Sequence, residues 1–352
     1  MNQHPLQRGP TASLLVIGND RANIVVDRRA VMVGLCAGVL VLGLLILALL
    51  LGDFPLTFPE IIDVFLGRGE GLTRTVVLEW RLPRAIAAVL FGAALGVSGA
   101  LFQTITRNPL ASPDIMGLAN GSYTGMILAL IFLGGSWHML VAGSLVGGVA
   151  AATLIYLLAL RDGLQGFRFI MVGIGVSAIL ASLNTWLLLR VDVDVALFAS
   201  AWGAGTLNTI TQATLLPTGL GIMVLFCLLP AVMAPLRQLS LGEDAAASSG
   251  ADIAPARLGG IAIAIGLVSA VTALSGPIAF IALSAPQIAR RLSRTAEIPL
   301  ATTGIIGGLL LLVADLIAQH VIPLTVPVGV VTLVLGGLYL VWLLIKIDRR
   351  PQ

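Results

Sequence analysis

Charge is scarce in this chain: 11% of its 352 residues are Asp, Glu, Lys or Arg, against about 25% in a typical soluble domain. A chain so poor in charge cannot cover a water-facing surface of its own size. Cysteine is almost absent. Cys36 and Cys227 each lie alone in an apolar run, which excludes a disulfide framework and a thiolate metal cluster. Lysine occurs once, as Lys346 followed by Ile347. A Gly-x-x-x-x-Gly-Lys-Ser/Thr phosphate loop is therefore impossible here, and any ATP drive must come from another polypeptide. The pI near 9.3 raises nucleic acid as a partner, but no basic run exists to bind it. An Asp-rich prenyl-diphosphate motif, a His-Glu-x-x-His pair and a serine nucleophile elbow are all missing. A membrane enzyme is thereby disfavoured.

What is abundant is apolar sequence: 58% hydrophobic residues, with 40 glycines and 17 prolines and a mean hydropathy of +1.03. The charge-free stretches are 31–52, 85–106, 115–160, 169–189, 195–236, 258–289, 298–314 and 316–345. A membrane helix needs about 20 apolar residues. Stretch 115–160 holds two spans, broken at Gly134-Gly135-Ser136. Stretch 258–289 breaks at Gly276-Pro277, and its second half continues towards Arg294. Stretch 195–236 holds one span near 213–233, preceded by a polar interfacial piece at 202–211. The expectation is an all-α membrane protein of about ten spans. Residues 1–30 form a cytoplasmic arm, partly disordered, residues 31–346 the ten-helix membrane domain, and residues 347–352 a cytoplasmic tail.

Orientation follows from positive charge. With the N-terminus inside, the inner segments carry 15 of the 20 Lys and Arg residues, and only Arg68, Arg74, Arg81, Arg84 and Arg190 fall outside. The first span exceeds a signal-peptide core and lacks a small-x-small cleavage site after Gly52, so it reads as a retained span. Lipid provides no hydrophobic drive between helices, so small residues must let backbones approach. Gly92/Gly96, Gly117/Gly121/Gly125, Gly143/Gly147 and Gly304/Gly308 offer such faces, either for static packing or for helices that rock along a pathway.

Polar groups inside apolar sequence are costly and mark candidate function. Asp315 is the one carboxylate with long apolar sequence on both sides. It lies about 24 Å beyond Pro299 along a helix, which reads as a snorkelling or capping residue near the outer boundary. His138 and His320 fall at outer turns. The outer segment 53–83 ends in Glu79-Trp80-Arg81-Leu82-Pro83-Arg84, where two arginines at a helix start oppose the helix dipole. They suit a headgroup anchor or a docking point for carboxylates of an external partner. The inner segment 104–117, TITRNPLASPDIMG, reads as a structured turn capped by Asn108, Ser112 and Asp114. The longest inner loop contains Leu241, Gly242, Glu243, Asp244, Ala245, Ala246, Ala247, Ser248, Ser249 and Gly250. Its Ala-rich run after an acidic start favours a short surface helix, a connector or a wedge for a soluble motor protein. Gln103, Asn108 and Asn184 are polar candidates for a pathway or a turn.

These segments together resemble the permease family of ABC importers for iron–siderophore complexes, haem and vitamin B12. The matches are RLPR at 81–84, GAALGVSGALFQ at 92–103, RNPLASPDIMG at 107–117, FRFIMVGIG at 167–175, SGPIAFIALSAPQIARR at 275–291 and PVGVVTLVLGG at 327–337. NTWLLL at 184–189 and EWRLPR at 79–84 are most similar to the second permease subunit of ferric-enterobactin-type systems. The resemblance implies the type II ABC importer permease fold in a bacterial cytoplasmic (inner) membrane. It implies transport of a ferric siderophore, with haem or vitamin B12 as the alternative cargo. An ion-coupled secondary carrier depending on Asp315 is a more distant reading.

The implied partners are a second permease subunit, a paralogue or else a second copy of this chain, two cytoplasmic ATPase subunits that hold ATP and Mg, and an external siderophore-binding protein. The chain itself would be neither enzyme nor cofactor carrier, and would hold no metal. The resemblance gives Arg81 and Arg84 the docking of the binding protein, 241–250 the coupling to the ATPase, and Gln165, Gly166 and Phe167 the cytoplasmic gate. Two positions depart from the pattern. Gln319 stands where the vitamin B12 permease has an arginine, pointing to a heterodimer whose partner supplies that charge. Ser249 stands where many relatives carry Leu.

Overall fold

The computed structural model describes residues 14–19, 22–114, 116–159, 166–238, 253–323 and 326–348. The expected coupling residues Leu241–Gly250 and the gate residue Gln165 lie outside them. Of Gly166 and Phe167 only the backbone at a helix start is described.

Among the described residues the chain is helical apart from two strands. Strand β1 (Leu14–Asn19) pairs antiparallel with β2 (Ala22–Asp27), Leu14 opposite Asp27. The pairing suits LLVIGN and ANIVVD, which are aliphatic and β-branched sequences. Asp27 closes the pair and caps α1 (Arg28–Leu50), its Oδ1 accepting the Arg29 amide at 2.8 Å. We call the face where α1 begins the near face and the opposite one the far face.

The far-face connection carries α2 (Phe58–Phe65), α3 (Gly71–Thr75) and a π-helical turn over Val76–Arg81 that runs into α4 (Leu82–Thr106). Pro83 explains the π turn. It has no N–H to donate and its ring crowds the carbonyl four residues earlier, on Glu79, so the backbone widens there. Beyond α4 come α5 (Leu118–Phe132), α6 (Trp137–Ala159), α7 (Gly166–Leu188) and the short α8 (Val193–Gly203). They are followed by α9 (Gln212–Gln238), α10 (Ile253–Ser275), α11 (Ile281–Ser293), α12 (Leu300–His320) and α13 (Val328–Asp348).

Among the described residues, seven helices are long and apolar enough to cross a membrane: α1, the run Gly71–Thr106 containing α4, α6, α7, α9, α10 and α12. The apolar helices α5 and α8 are shorter, as is the apolar part of α13, Val328–Trp342. Together with α11 these place the breaks at Gly134-Gly135 and Gly276-Pro277 as the sequence predicts.

Helix α4 is the axis of the packing. Gly92 lies against the backbone of Gly307 and Gly308 on α12, and Gly96 against Thr303. Gly99 abuts the carbonyl of Ala282 on α11, and Ser98 donates to the carbonyl of Ala264 on α10 at 2.7 Å. A methyl at Gly92 or Gly99 would collide with backbone. Helices α5 and α6 use the same device, Gly121 and Gly125 against Gly147 and Gly143. Two glycines of the sequence stripes play other parts. Gly304 has only ordinary contacts, the close approach falling to Gly307 and Gly308, while Gly117 (φ +85°) ends a loop beside Ser177.

Candidate functional site

On the far face the two arginines flanking Pro83 are both engaged. Arg81 donates through Nη1 to the carbonyls of Leu49 (2.8 Å) and Leu50 (3.4 Å), and through Nη2 to that of Phe54 (2.6 Å). Helix α1 has no basic residue in its last turn, so Arg81 satisfies carbonyls that a helix end leaves unpaired. Arg84 binds Asp315 in a fork, Nε to Oδ2 at 3.1 Å and Nη2 to Oδ1 at 2.8 Å. Gln319, one turn on, donates Nε2 to Asp315 Oδ2 at 2.6 Å. The Asp315 side chain is 3% exposed and that of Arg84 20%. The reading of Asp315 as a snorkelling or capping residue is thus corrected. It is a buried partner of Arg84, and planar fork geometry makes such a pair directional. Just before the arginines, Glu79 and Trp80 are turned to solvent.

The segment after α4 is not a turn on the membrane surface. Asn108 Oδ1 accepts the Leu110 amide at 2.9 Å and Arg107 adopts φ +52°, which reverses the chain. The chain then climbs back between the helices. Met116 meets Gly173 and Gly117 meets Ser177, three turns into α7, or about 16 Å along it. On the way Asp114 Oδ2 accepts the amide of Phe280 at 2.8 Å, while its Oδ1 is buried without a hydrogen-bond partner. Phe280 (φ +68°) is the cap of α11. With 15 and 13 residues, α5 and α11 are only about 22 and 20 Å long, short of a core of about 30 Å. Both helices thus start inside the membrane, and the climbing loop supplies the carboxylate that binds beside the second start. The sequence marks Asp114 only as a cap of a local turn; its bond to the start of α11 is what sequence reasoning missed. Asp114 adjoins a charge-free stretch at the end of an apparent turn, and only the two prolines before it, Pro109 and Pro113, hint that the backbone is non-helical there.

The polar candidates fall in different places. Gln103 is buried, donates to the Leu283 carbonyl at 3.1 Å and accepts from Gln287 Nε2 at 2.6 Å. Gln287 also donates to the Pro109 carbonyl. Asn184 is buried between α7 and α5, accepting from Thr124 at 2.7 Å and donating to the Asn120 carbonyl at 3.3 Å. Asn120 in turn reaches Ser177 Oγ at 2.8 Å. Asn184 therefore joins two helices, and Asn108 shapes the climbing loop.

At the near face a cavity of about 280 Å³ opens between the ends of α4, α9 and α11. Gln103 and Gln287 line it beside Arg107, Arg237 and Arg290.

Residues 40–346 match the family model described as the FecCD transport family. The chain belongs to this family. It is 43% identical to the ferric enterobactin transport system permease protein FepG of Escherichia coli (strain K12), over 85% of this chain and 91% of that protein. It is 32% identical to FepD of the same system, covering 86% and 92%, and 34% identical to the iron(3+)-hydroxamate permease FhuG of Bacillus subtilis (strain 168), covering 87% and 94%. A solved structure of an inward-facing metal-chelate type ABC transporter superposes with a TM-score of 0.78 at 26% identity, covering 90% of this chain and 99% of that one. As a FecCD chain it has the ABC permease fold, and the Arg84–Asp315 pair and the Asp114 loop are features of a multi-pass membrane subunit.

Proposed function

We propose that this chain is a permease subunit of an ABC importer that carries a ferric siderophore across a bacterial cytoplasmic membrane. The observation that carries this reading is the match along 85% of the chain to a ferric enterobactin permease, on a fold shared with a metal-chelate ABC transporter. ATP and Mg belong to two separate ATPase subunits, and the near face with both termini is cytoplasmic. A siderophore-binding protein delivers cargo to the far face, where Arg81 and Arg84 follow the solvent-facing Glu79 and Trp80. The second permease subunit is a paralogue, as the coexistence of FepG-like and FepD-like relatives supports.

In this reading the pathway needs no tight site, because affinity resides in the binding protein. Docking and ATP-driven motor closure bias a two-state rocking of the permease halves. The loop at 241–250 transmits motor closure, the segment at Gln165, Gly166 and Phe167 gates the cytoplasmic end, and Gln103, Asn108 and Asn184 are polar candidates for the pathway or its turns.

The test is uptake of iron-labelled siderophores, with labelled haem and cobalamin alongside, in cells lacking only this chain and in complemented cells. Loss and rescue for a ferric siderophore is expected. Loss for cobalamin or haem alone would overturn the cargo and keep the importer. Unchanged uptake of all three, with no ATPase copurifying, would overturn the importer reading.

A further inference from the structure

Among the described residues, the near-face cavity is lined by three guanidinium-bearing residues, Arg107, Arg237 and Arg290, and one carboxylate, Glu297. Its floor is made of buried polar groups, Gln103 and Gln287, already bonded to each other. Its wall is apolar: Met233 and Leu236 from α9, Pro109, and Ile298. A cavity that is cationic at its mouth and apolar on one side has the chemistry of a phospholipid's headgroup and upper chain. We infer that it is a binding site for an anionic phospholipid headgroup.

Two further observations favour a lipid over a soluble anion or an acidic protein side chain. First, α9 turns an exposed apolar row outward, Leu216, Leu220, Val224 and Leu228. These residues recur at helical spacing along one face and give acyl chains an apolar surface on the helix that also supplies Met233 and Leu236 to the cavity wall. Second, Arg291, next to Arg290, lies over the ring of the half-exposed Trp342 at 5.7 Å. Tryptophan and arginine gather at headgroup depth, so the cavity mouth lies at the level where phosphates sit. Basic pockets between membrane helices bind such headgroups. The site stands whatever the cargo is.

Native mass spectrometry of the full-length chain in detergent, titrated with phosphatidylglycerol, cardiolipin or phosphatidylcholine, tests this. The expected preference for the two anionic lipids is on the order of 100-fold, about fivefold for each arginine. The triple variant Arg107→Asn, Arg237→Gln, Arg290→Gln should bring phosphatidylglycerol close to phosphatidylcholine, while Arg28→Gln with Arg294→Gln, two exposed near-face arginines outside the cavity, should leave the preference intact. If the triple variant fails to accumulate, Arg237→Gln and Arg290→Gln singly should each lower the preference about fivefold.

Equal binding of charged and neutral lipids by the wild-type chain, or an unchanged preference in the cavity variants, would overturn the site. Complete displacement by inorganic phosphate would reassign it to a soluble anion. Unchanged lipid preference with loss of ATPase copurification would reassign it to a protein contact.

Discussion

Arg84 of α4 and Asp315 of α12 are 231 residues apart and meet in a two-point ion pair, 2.8 Å at its closest. The pair ties the far ends of the two helices whose middles are held by Gly92 against Gly307 and Gly308. Its carboxylate has a second donor in Gln319, so an arginine-sized charge at 319 is unnecessary to satisfy Asp315.

Removing one member of this pair leaves the other charge buried. Asp315→Ala should lower stability by about 1–3 kcal/mol, less than for a wholly buried pair because Arg84 is partly exposed. Thermal unfolding of the detergent-purified chain reads this directly. Arg84→Asp with Asp315→Arg should recover part of the loss. An unchanged melting temperature for Asp315→Ala would mean that the pair holds nothing together.

Because Arg84 is structural, docking and folding must be separated. Arg81→Glu with Arg84→Glu should cut siderophore uptake, and the informative comparison is Arg84→Met with Asp315→Met, which removes both charges without leaving either alone. That variant should accumulate normally while uptake falls. Normal uptake alongside normal abundance would remove Arg84 from the docking surface.

Asp114 fixes the climbing loop to the start of α11. Asp114→Asn keeps an acceptor for the Phe280 amide and should cost little. Asp114→Ala leaves that amide unpaired in the interior, a loss of about 1–3 kcal/mol. Equal melting temperatures for the two variants would show that the bond is incidental.

Gly99 lies against the carbonyl of Ala282, so Gly99→Ala must push α11 from α4. Overpacking of this kind costs about 1–3 kcal/mol or more, and reduced abundance and melting temperature are expected. Gly304→Ala, where only ordinary contacts exist, should be tolerated. If both behave alike, the close approach of α4 and α11 is not what holds this region.

In α2, the Thr57 amide and hydroxyl both donate to Glu60 at 2.7 Å, and the backbone bond foremost holds the Glu60 carboxyl below its ordinary range. A depressed carboxylate stabilises the fold above its unfolded pKa and loses that contribution as pH falls through the lower, folded value. Amide-exchange protection at the start of α2 should therefore fall only in the acid range, below about pH 4.3. Glu60→Gln should abolish that pH dependence.

Much of the architecture was legible because lipid imposes it. Charge-free length marked most helices, and glycine-proline breaks marked where the chain turns, since every backbone group in hydrocarbon must be bonded within a helix. The family motifs likewise lie in contiguous sequence. Three things were decided only by the tertiary structure. Asp315 looked like a boundary residue because its partner Arg84 lies on a helix remote in sequence. Asp114 looked like a surface cap because a climbing loop and a surface turn share the same prolines. The close contact at Gly307 and Gly308, rather than Gly304, depends on how α12 is rotated about its axis, which a spacing of four cannot specify. Local periodicity determines which segments enter the membrane. Pairing across it depends on helix rotation and depth, and those are settled by all the packed neighbours together.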